Sequence, residues 1–390
     1  MKSTNGTFSP SMRKKTVTVR EVSTPADLRL FIDLPFRIYR DCPYWIPPIK
    51  KAEAAFFNPE KNPAFHHSKV KLWIAEKNGQ VAGRVVGIIN DLETEYRGTS
   101  RGRFGWLEFE DDRDVSGALL EAACEWAHEN GCKWIKGPVG FSYLDPAGLT
   151  IEGFEEVGTV SDPFHYPYYG KHLDQLGFQK MNDYFEYVVD KVPTEIPEKL
   201  KKLGPVIEKR YGIRPVAIRN GAELKEMIDR FFGLLPASFK DLPTYVPLSE
   251  EEKRKYISDF LPFMRPEYMP LLMDREGNVA GFGLIIPSFS HALIKAKGRL
   301  FPFGFLHLLW NRKFHREADL VMVGVLQKWR GKGLNALIFS QAISQLIKQR
   351  VKKVRLYHQL EENQAAHAIF KDYHPRLFRK RRVYWKELAH

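Results

Sequence analysis

Apolar and polar positions alternate from Val17 to Val22, the period of a half-buried strand. Thr24-Pro25-Ala26-Asp27 then supplies a helix start, and the helical pattern runs to about Tyr39. Asp41 to Pro48 is broken by Pro43, Pro47 and Pro48 and is predicted to be extended. Apolar runs at Leu72–Glu76 and Val81–Asn90 flank Lys77-Asn78-Gly79-Gln80, and Asn-Gly between two strands predicts a hairpin. A strand at Phe104–Glu110, a helix at Val115–Asn130 with Leu119, Ala122, Ala123 and Trp126 along one side, and a strand from Trp134 follow. Phe141–Pro167 is longer than a plain connection and could cover a substrate. The half closes with a helix from Tyr168, the pair Gly177-Phe178, and a strand at Tyr184–Val189.

The pattern then starts again. Lys191–Pro205 is charged and proline-containing and reads as a linker; the next cycle opens with a strand at Arg214–Ile218 and a helix at Ala222–Leu235. Runs at Pro270–Met273 and Val279–Ile286 surround another glycine turn. Glu76 to Gly83 (EKNGQVAG) and Asp274 to Gly281 (DREGNVAG) are the same piece twice, an internal repeat at domain scale. The expected organisation is a disordered 1–16, a first domain at 17–190, a linker at 191–212 and a second domain at 213–390, in keeping with the length of 390 residues.

Chemistry concentrates at one turn. The apolar run Leu320–Leu326 ends at Gln327-Lys328-Trp329-Arg330-Gly331-Lys332-Gly333, and a helical pattern follows with Ala336, Phe339, Ile343 and Leu346 on one face. A strand-turn-helix junction aims unpartnered N–H groups at an anion, and the helix dipole adds partial positive charge. Gly331 and Gly333 let a phosphate approach the main chain, while Arg330 and Lys332 add whole charges. The turn reads as a diphosphate cradle, the alternative being a basic turn with no ligand. It is not a Walker A loop, because six residues stand between Gly324 and Gly331 where that loop has four, and Gly333-Leu334 places no hydroxyl after Lys332. GxGxxG is absent. The matching position of the first half, Glu110-Asp111-Asp112-Arg113-Asp114, would repel a diphosphate, although acidic residues also suit any helix start.

Composition narrows the partners. A net charge of +13 favours anionic ones: a cofactor phosphate, an anionic membrane surface or a nucleic acid. The basic residues are dispersed and no nucleic-acid reader motif occurs, so nucleic acid is not an expected partner. Cys42, Cys124 and Cys132 form no CxxC pair, which suits a reducing, cytoplasmic setting and no metal site. No run of 18 apolar residues occurs, and residues 1–16 lack the apolar core of a signal peptide. Between Ser290 and Glu317 an aromatic stretch, Leu300–Trp310, is flanked by Lys295, Lys297, Arg299, Arg312, Lys313 and Arg316. It reads as an interfacial element giving peripheral membrane contact, a wall of an acyl-chain tunnel, or an ordinary packed helix.

Gln327, Arg330, Gly331 and Gly333, set after a strand and before a helix, make a Q-x-x-R-G-x-G that resembles the coenzyme A signature of the GNAT (Gcn5-related N-acetyltransferase) superfamily. The order β-α-β-β-β-α-β of the first half resembles the same family. The resemblance implies an α/β (α+β) fold of tandem GNAT-like domains, each a mixed, mostly antiparallel sheet flanked by helices. It also implies an N-acyltransferase moving an acyl group from acetyl-CoA or a longer acyl-CoA to an amine. Val323, Val325, Gln327, Arg330, Gly331, Lys332, Gly333, Leu334 and Asn335 would bind that donor. The strand around Met322–Val325 would open and offer an N–H to the thioester carbonyl.

In the family pattern N-x-x-A-x-x-x-Y, Asn363 and Ala366 match, but the tyrosine position is Phe370. Phenylalanine cannot donate a proton, so Tyr373 is the replacement candidate, and Glu361, Glu362 and His358 are candidate bases. The tail Arg376–Trp385 is expected to be a closing strand with an exposed basic face. Two-domain bacterial GNAT-like proteins have been linked to N-acylation of sphingoid bases, which the Phe-rich insertion suits. The alternatives are an aminoacyl transferase like the Fem peptidoglycan enzymes, which pair GNAT folds, and a non-catalytic acyl-CoA- or lipid-binding protein.

Overall fold

In the computed structural model, residues 17–239 and 243–388 are described; the expectation for residues 1–16 lies outside them. The first half contains β1 (Val17–Glu21), α1 (Pro25–Ile38), α2 (Lys50–Phe56), β2 (Ser68–Lys77), β3 (Gln80–Asn90), α3 (Asp91–Arg97), β4 (Gly102–Phe109), α4 (Arg113–Glu129), β5 (Trp134–Gly137), β6 (Leu149–Glu152), α5 (Tyr168–Gln175) and β7 (Gln179–Val189). The second contains α6 (Glu198–Tyr211), β8 (Arg214–Val216), α7 (Gly221–Phe239), α8 (Glu250–Phe260), β9 (Leu271–Met273), β10 (Val279–Pro287), α9 (Ser290–Ala296) and α10 (Gly304–Phe314). It closes with β11 (Glu317–Val325), α11 (Leu334–Lys348), β12 (Lys353–Leu360), α12 (Gln364–Ile369) and β13 (Arg376–Glu387).

Local sequence explains most of these elements. Thr24 and Asp27 form a reciprocal capping box at the start of α1, satisfying N–H groups that the helix itself cannot. The β2–β3 turn places Asn78 (φ 57°) and Gly79 (φ 76°) in the left-handed region, as a tight hairpin requires. Along α4, Val115, Leu119 and Ala123 bury against Phe104, Leu107 and Phe109 of β4. Along α11, Phe339, Ala342, Ile343 and Leu346 bury against Leu320, Val354 and Leu356.

Both halves are mixed, mostly antiparallel sheets, and they join edge to edge in the order β1-β2-β3-β4-β5-β13-β7-β12-β11-β10-β9-β8. The closing strands are exchanged. β7, from the first half, pairs with β12 of the second, and β13, the last strand of the chain, lies between β7 and β5. The alternating apolar pattern announced two closing strands without saying which sheet each would enter. The repeat is exact enough to show in single bonds: Glu110 N–H donates to Ala82 O (2.9 Å) where Leu326 N–H donates to Ala280 O (3.0 Å).

Two expectations need correction. The segment 191–212, read as a linker, carries α6, whose Leu200 and Ile207 are buried against the second half. Its charges line only the outer side of the helix. The tail β13 does not present an exposed basic face: Arg379 and Arg381 are buried, and Arg376, Lys380 and Arg382 pair with acidic residues. The strand exchange turns that face inward, where carbonyls and carboxylates of the first half receive it.

Candidate active site

β11 and β12 run parallel only from Glu317↔Lys353 to Leu320↔Leu356, and then part. The extra residue of a bulge, Val321, falls at this point, because Leu284 of β10 opposes Met322 while Ile285 opposes Leu320. Beyond it, Val321–Val325 has β10 on one edge and no strand on the other among the described residues. The expected opening around Met322–Val325 is therefore present.

The open strand leads into the basic turn. Gln327–Trp329 is a single 3-10 turn, Gly331 (φ 74°) and Gly333 (φ 78°) are left-handed, and Gly333 is the N-cap of α11 without any side-chain cap. The N–H groups of Gly331, Lys332, Gly333, Leu334 and Asn335 have no partner among the described residues. A Cβ at Gly331 would meet nothing within 4 Å, so the space in front of the turn is open. Gln327 and Arg330 are exposed beside it. Arg330 Nε donates to Val325 O (3.3 Å), and Lys332 Nζ rests over the rings of Trp329 (4.5 Å) and Tyr211 (5.4 Å). The side chains of Val323, Val325 and Leu334 pack inward, leaving only their backbone to serve a ligand. Unpartnered amides, two glycines and two cations fit a diphosphate.

The same place in the first half is closed. Asp112 caps α4, accepting from Asp114 N–H (3.0 Å) and Val115 N–H (3.4 Å), so a carboxylate occupies the anion position. At the end of β4, Phe109 N–H donates to Tyr169 Oη (3.2 Å) and Phe109 O accepts from Tyr168 Oη (2.6 Å). Tyr39 and Tyr169 both donate to Glu108, at 2.6 and 2.7 Å, filling the interior with aromatic rings. Burial pushes the Glu108 carboxyl up to about 7.

The candidate catalytic residues separate. Asn363 is exposed in the turn after β12, its carbonyl accepting from His367 N–H (3.1 Å). Glu361 is bound at the surface by Lys180 Nζ at 2.5 Å, and Glu362 is exposed. Tyr373 packs on Phe339 and, with Phe370, Leu320 and Leu356, lines an apolar cavity of about 50 Å³ where β11 and β12 part. Burial pushes its hydroxyl up to about 12, so it stays protonated. The side chain of Ala366 lies outside the described residues.

His358 is half-buried, its Nδ1 3.7 Å from Asp162 Oδ1; burial and Arg381 hold its pKa below the usual imidazole value.

Sequence reasoning missed what lies on the other face of the opening. Asp319, one residue before the strands part, is fully buried and in no ion pair among the described residues. Burial raises its pKa to about 7 against the pull of Arg355, its register partner on β12, and of the Ser288 hydroxyl. The loop of the first half lies over this face. Val157 O accepts from Arg355 (3.0 Å), Gly158 O from Ser290 (2.8 Å), and Asp162 from Arg381 (3.0 Å). Arg381 also donates to Glu186, which burial and Asp162 push up to about 7 while Asp162 itself is held low. An acid within a mainly apolar strand, two residues after Glu317, was the available signal for Asp319. Asp162 and Arg381 lie too far apart in sequence to give one.

Residues 236–374 match the profile of the acetyltransferase (GNAT) family. The second half therefore carries a GNAT acetyltransferase domain. The match spans the open strand, the basic turn and Tyr373. Protein YghO of Escherichia coli (strain K12) is 27% identical over 376 residues, 95% of each chain. Bacterial ceramide synthase of Caulobacter vibrioides (strain NA1000 / CB15N) is 27% identical over 381 residues, 95% of this chain and 98% of that protein. Among solved structures, a tandem GNAT protein from the clavulanic acid biosynthesis pathway superposes with a TM-score of 0.56 at 15% identity, covering 96% of this chain and 99% of that one. That likeness concerns the fold alone. GNAT enzymes take acyl-CoA donors and amine acceptors, and this chain offers one open junction and one closed one for them.

Proposed function

We propose that the second half transfers an acyl group from coenzyme A to the nitrogen of a lipid amine of sphingoid type. The observation that carries the reaction is the coincidence, at one junction, of an opened strand, five unpartnered amides and a buried carboxylate in no ion pair among the described residues. Gly331–Asn335 would bind the diphosphate, with Gln327, Arg330 and Lys332 at its rim. Bound there, an acyl-CoA supplies the thioester. The free edge of Val321–Val325 offers backbone N–H to the carbonyl oxygen as negative charge develops. Asp319, with a pKa near 7, takes the proton of the attacking ammonium, and Tyr373, protonated at neutral pH, gives one to the leaving sulfur. Asn363 and Glu361 stand farther out, at the end of β12, and would act on the donor or the acceptor as it enters.

A lipid acceptor is favoured because one relative along the whole chain is named a ceramide synthase, and a ceramide is an N-acylated long-chain amino alcohol. The test is to incubate the protein with acetyl-, octanoyl- and palmitoyl-CoA and either sphinganine or a polyamine, following free thiol and the amide product by mass spectrometry. The reading expects amide with sphinganine. Product only with the polyamine would move the acceptor class, and no product with any pair would sink the reaction.

A further inference from the structure

Helix α10 is inside out. In a globular protein the apolar side of a surface helix faces the core, yet no residue of α10 is buried. Phe303, Leu306, Leu309, Trp310 and Phe314 fall on one outward arc at spacings of three and four, with exposures of 69, 49, 56, 69 and 52%. The polar Asn311 points the other way, its amide donating to Ser288 O at 2.7 Å. Phe301, on the preceding loop, is 77% exposed and its ring packs near Phe305. A contiguous apolar surface of this kind marks a binding face.

Charge identifies what binds. From Gly277 to Arg316 the chain has no aspartate or glutamate. Lys295, Lys297, Arg299, Arg312, Lys313 and Arg316 are all exposed, and none forms an ion pair among the described residues. Elsewhere in the protein exposed cations are commonly paired, as at Lys180, Lys199 and Arg376. A second copy of the chain would set these cations against their own images in a twofold contact, which opposes self-association. An anionic bilayer meets both halves of the pattern: acyl chains take the rings, and lipid phosphates take the cations.

We propose that α10 and the loop before it seat on the surface of an anionic membrane. The inference does not rest on the identity of the acyl acceptor. The experiment is co-sedimentation of the full chain with vesicles of phosphatidylcholine alone or with a minority of phosphatidylglycerol, together with light scattering of the free protein. Wild type is expected to bind the anionic vesicles, less so as salt is raised. Leu306→Glu/Trp310→Glu and Lys297→Ala/Lys313→Ala are each expected to lower the partition coefficient by roughly tenfold or more. These positions are exposed, so an unchanged melting temperature confirms that the variants fold. Equal binding by wild type and variants, or no binding by wild type, would overturn the proposal. So would a dimer in light scattering that Trp310→Glu disperses.

Discussion

Replacing Gly331 by glutamate separates the cradle's two physical ingredients. Gly331 is left-handed (φ 74°), so any L side chain there costs about 1–2 kcal/mol of stability. Its Cβ meets nothing within 4 Å, so no packing clash is added. Gly331→Ala therefore destabilises the fold by roughly that amount and leaves the anion position intact. Gly331→Glu carries the same strain and also points a carboxylate toward the diphosphate. At a separation of about 5 Å, like unit charges repel by roughly 1–3 kcal/mol between the limits of water and a protein surface, a loss of roughly fivefold to 150-fold in affinity. The assay is the thermal shift produced by coenzyme A. Ligand at a hundred times its Kd stabilises by about 2.7 kcal/mol, and a hundredfold weaker Kd reduces that to about 0.4 kcal/mol. The shift should survive in Gly331→Ala and fall in Gly331→Glu to between about 1.8 and 0.3 kcal/mol across that range. Gly131, equally left-handed (φ 80°) and open, controls for strain and charge elsewhere. A full shift in Gly331→Glu would refute the cradle.

The remaining predictions concern the chemistry and the buried charges. Asp319→Asn is expected to lower the acylation rate by roughly a hundredfold or more, with CoA binding unchanged. Asp319 must be ionised to act, and its pKa is raised to about 7, so the wild-type rate should climb through pH 6–8 to a plateau; a variant retaining that limb would exclude Asp319 as base. Tyr373→Phe should slow turnover without weakening CoA binding, and Phe370→Tyr in that background should restore part of the rate if an acid at this cavity limits it. Asp162→Ala strands Arg381 with a single carboxylate and is expected to cost about 3 kcal/mol in urea unfolding. Asp162 is depressed in the fold, so that contribution is present above the ordinary carboxylate pKa and lost as pH falls below it. A cost within error of zero would show the cluster to be dispensable.

Strand and helix periods, the Asn78-Gly79 hairpin and the glycine turn at 331–333 were legible because each is a local rule with a short reach. The repeat of EKNGQVAG as DREGNVAG gave the tandem architecture. The exchange of β7 and β13 was not legible, since alternation fixes which face of a strand is apolar and not which neighbour it takes. The candidate catalytic side chains suffered for the same reason. Glu361 and Asn363 follow a local pattern but lie at the surface, whereas Asp319 comes under the charge of Asp162 only after the halves have joined. The buried role of Arg379 and Arg381 likewise depends on that joining, so a basic string looked exposed. The linker reading failed because α6 alternates Leu200 and Ile207 with charges that outnumber them.

Calorimetric titration of coenzyme A into the intact chain tests the central claim most directly. One junction is open and carries unpartnered amides; the other is filled by Asp112, Tyr39, Tyr168 and Tyr169. The account predicts saturable binding with one site per chain, weakened roughly fivefold to 150-fold by Gly331→Glu. Two sites would contradict the closure of the first half, and no binding would contradict the cradle itself.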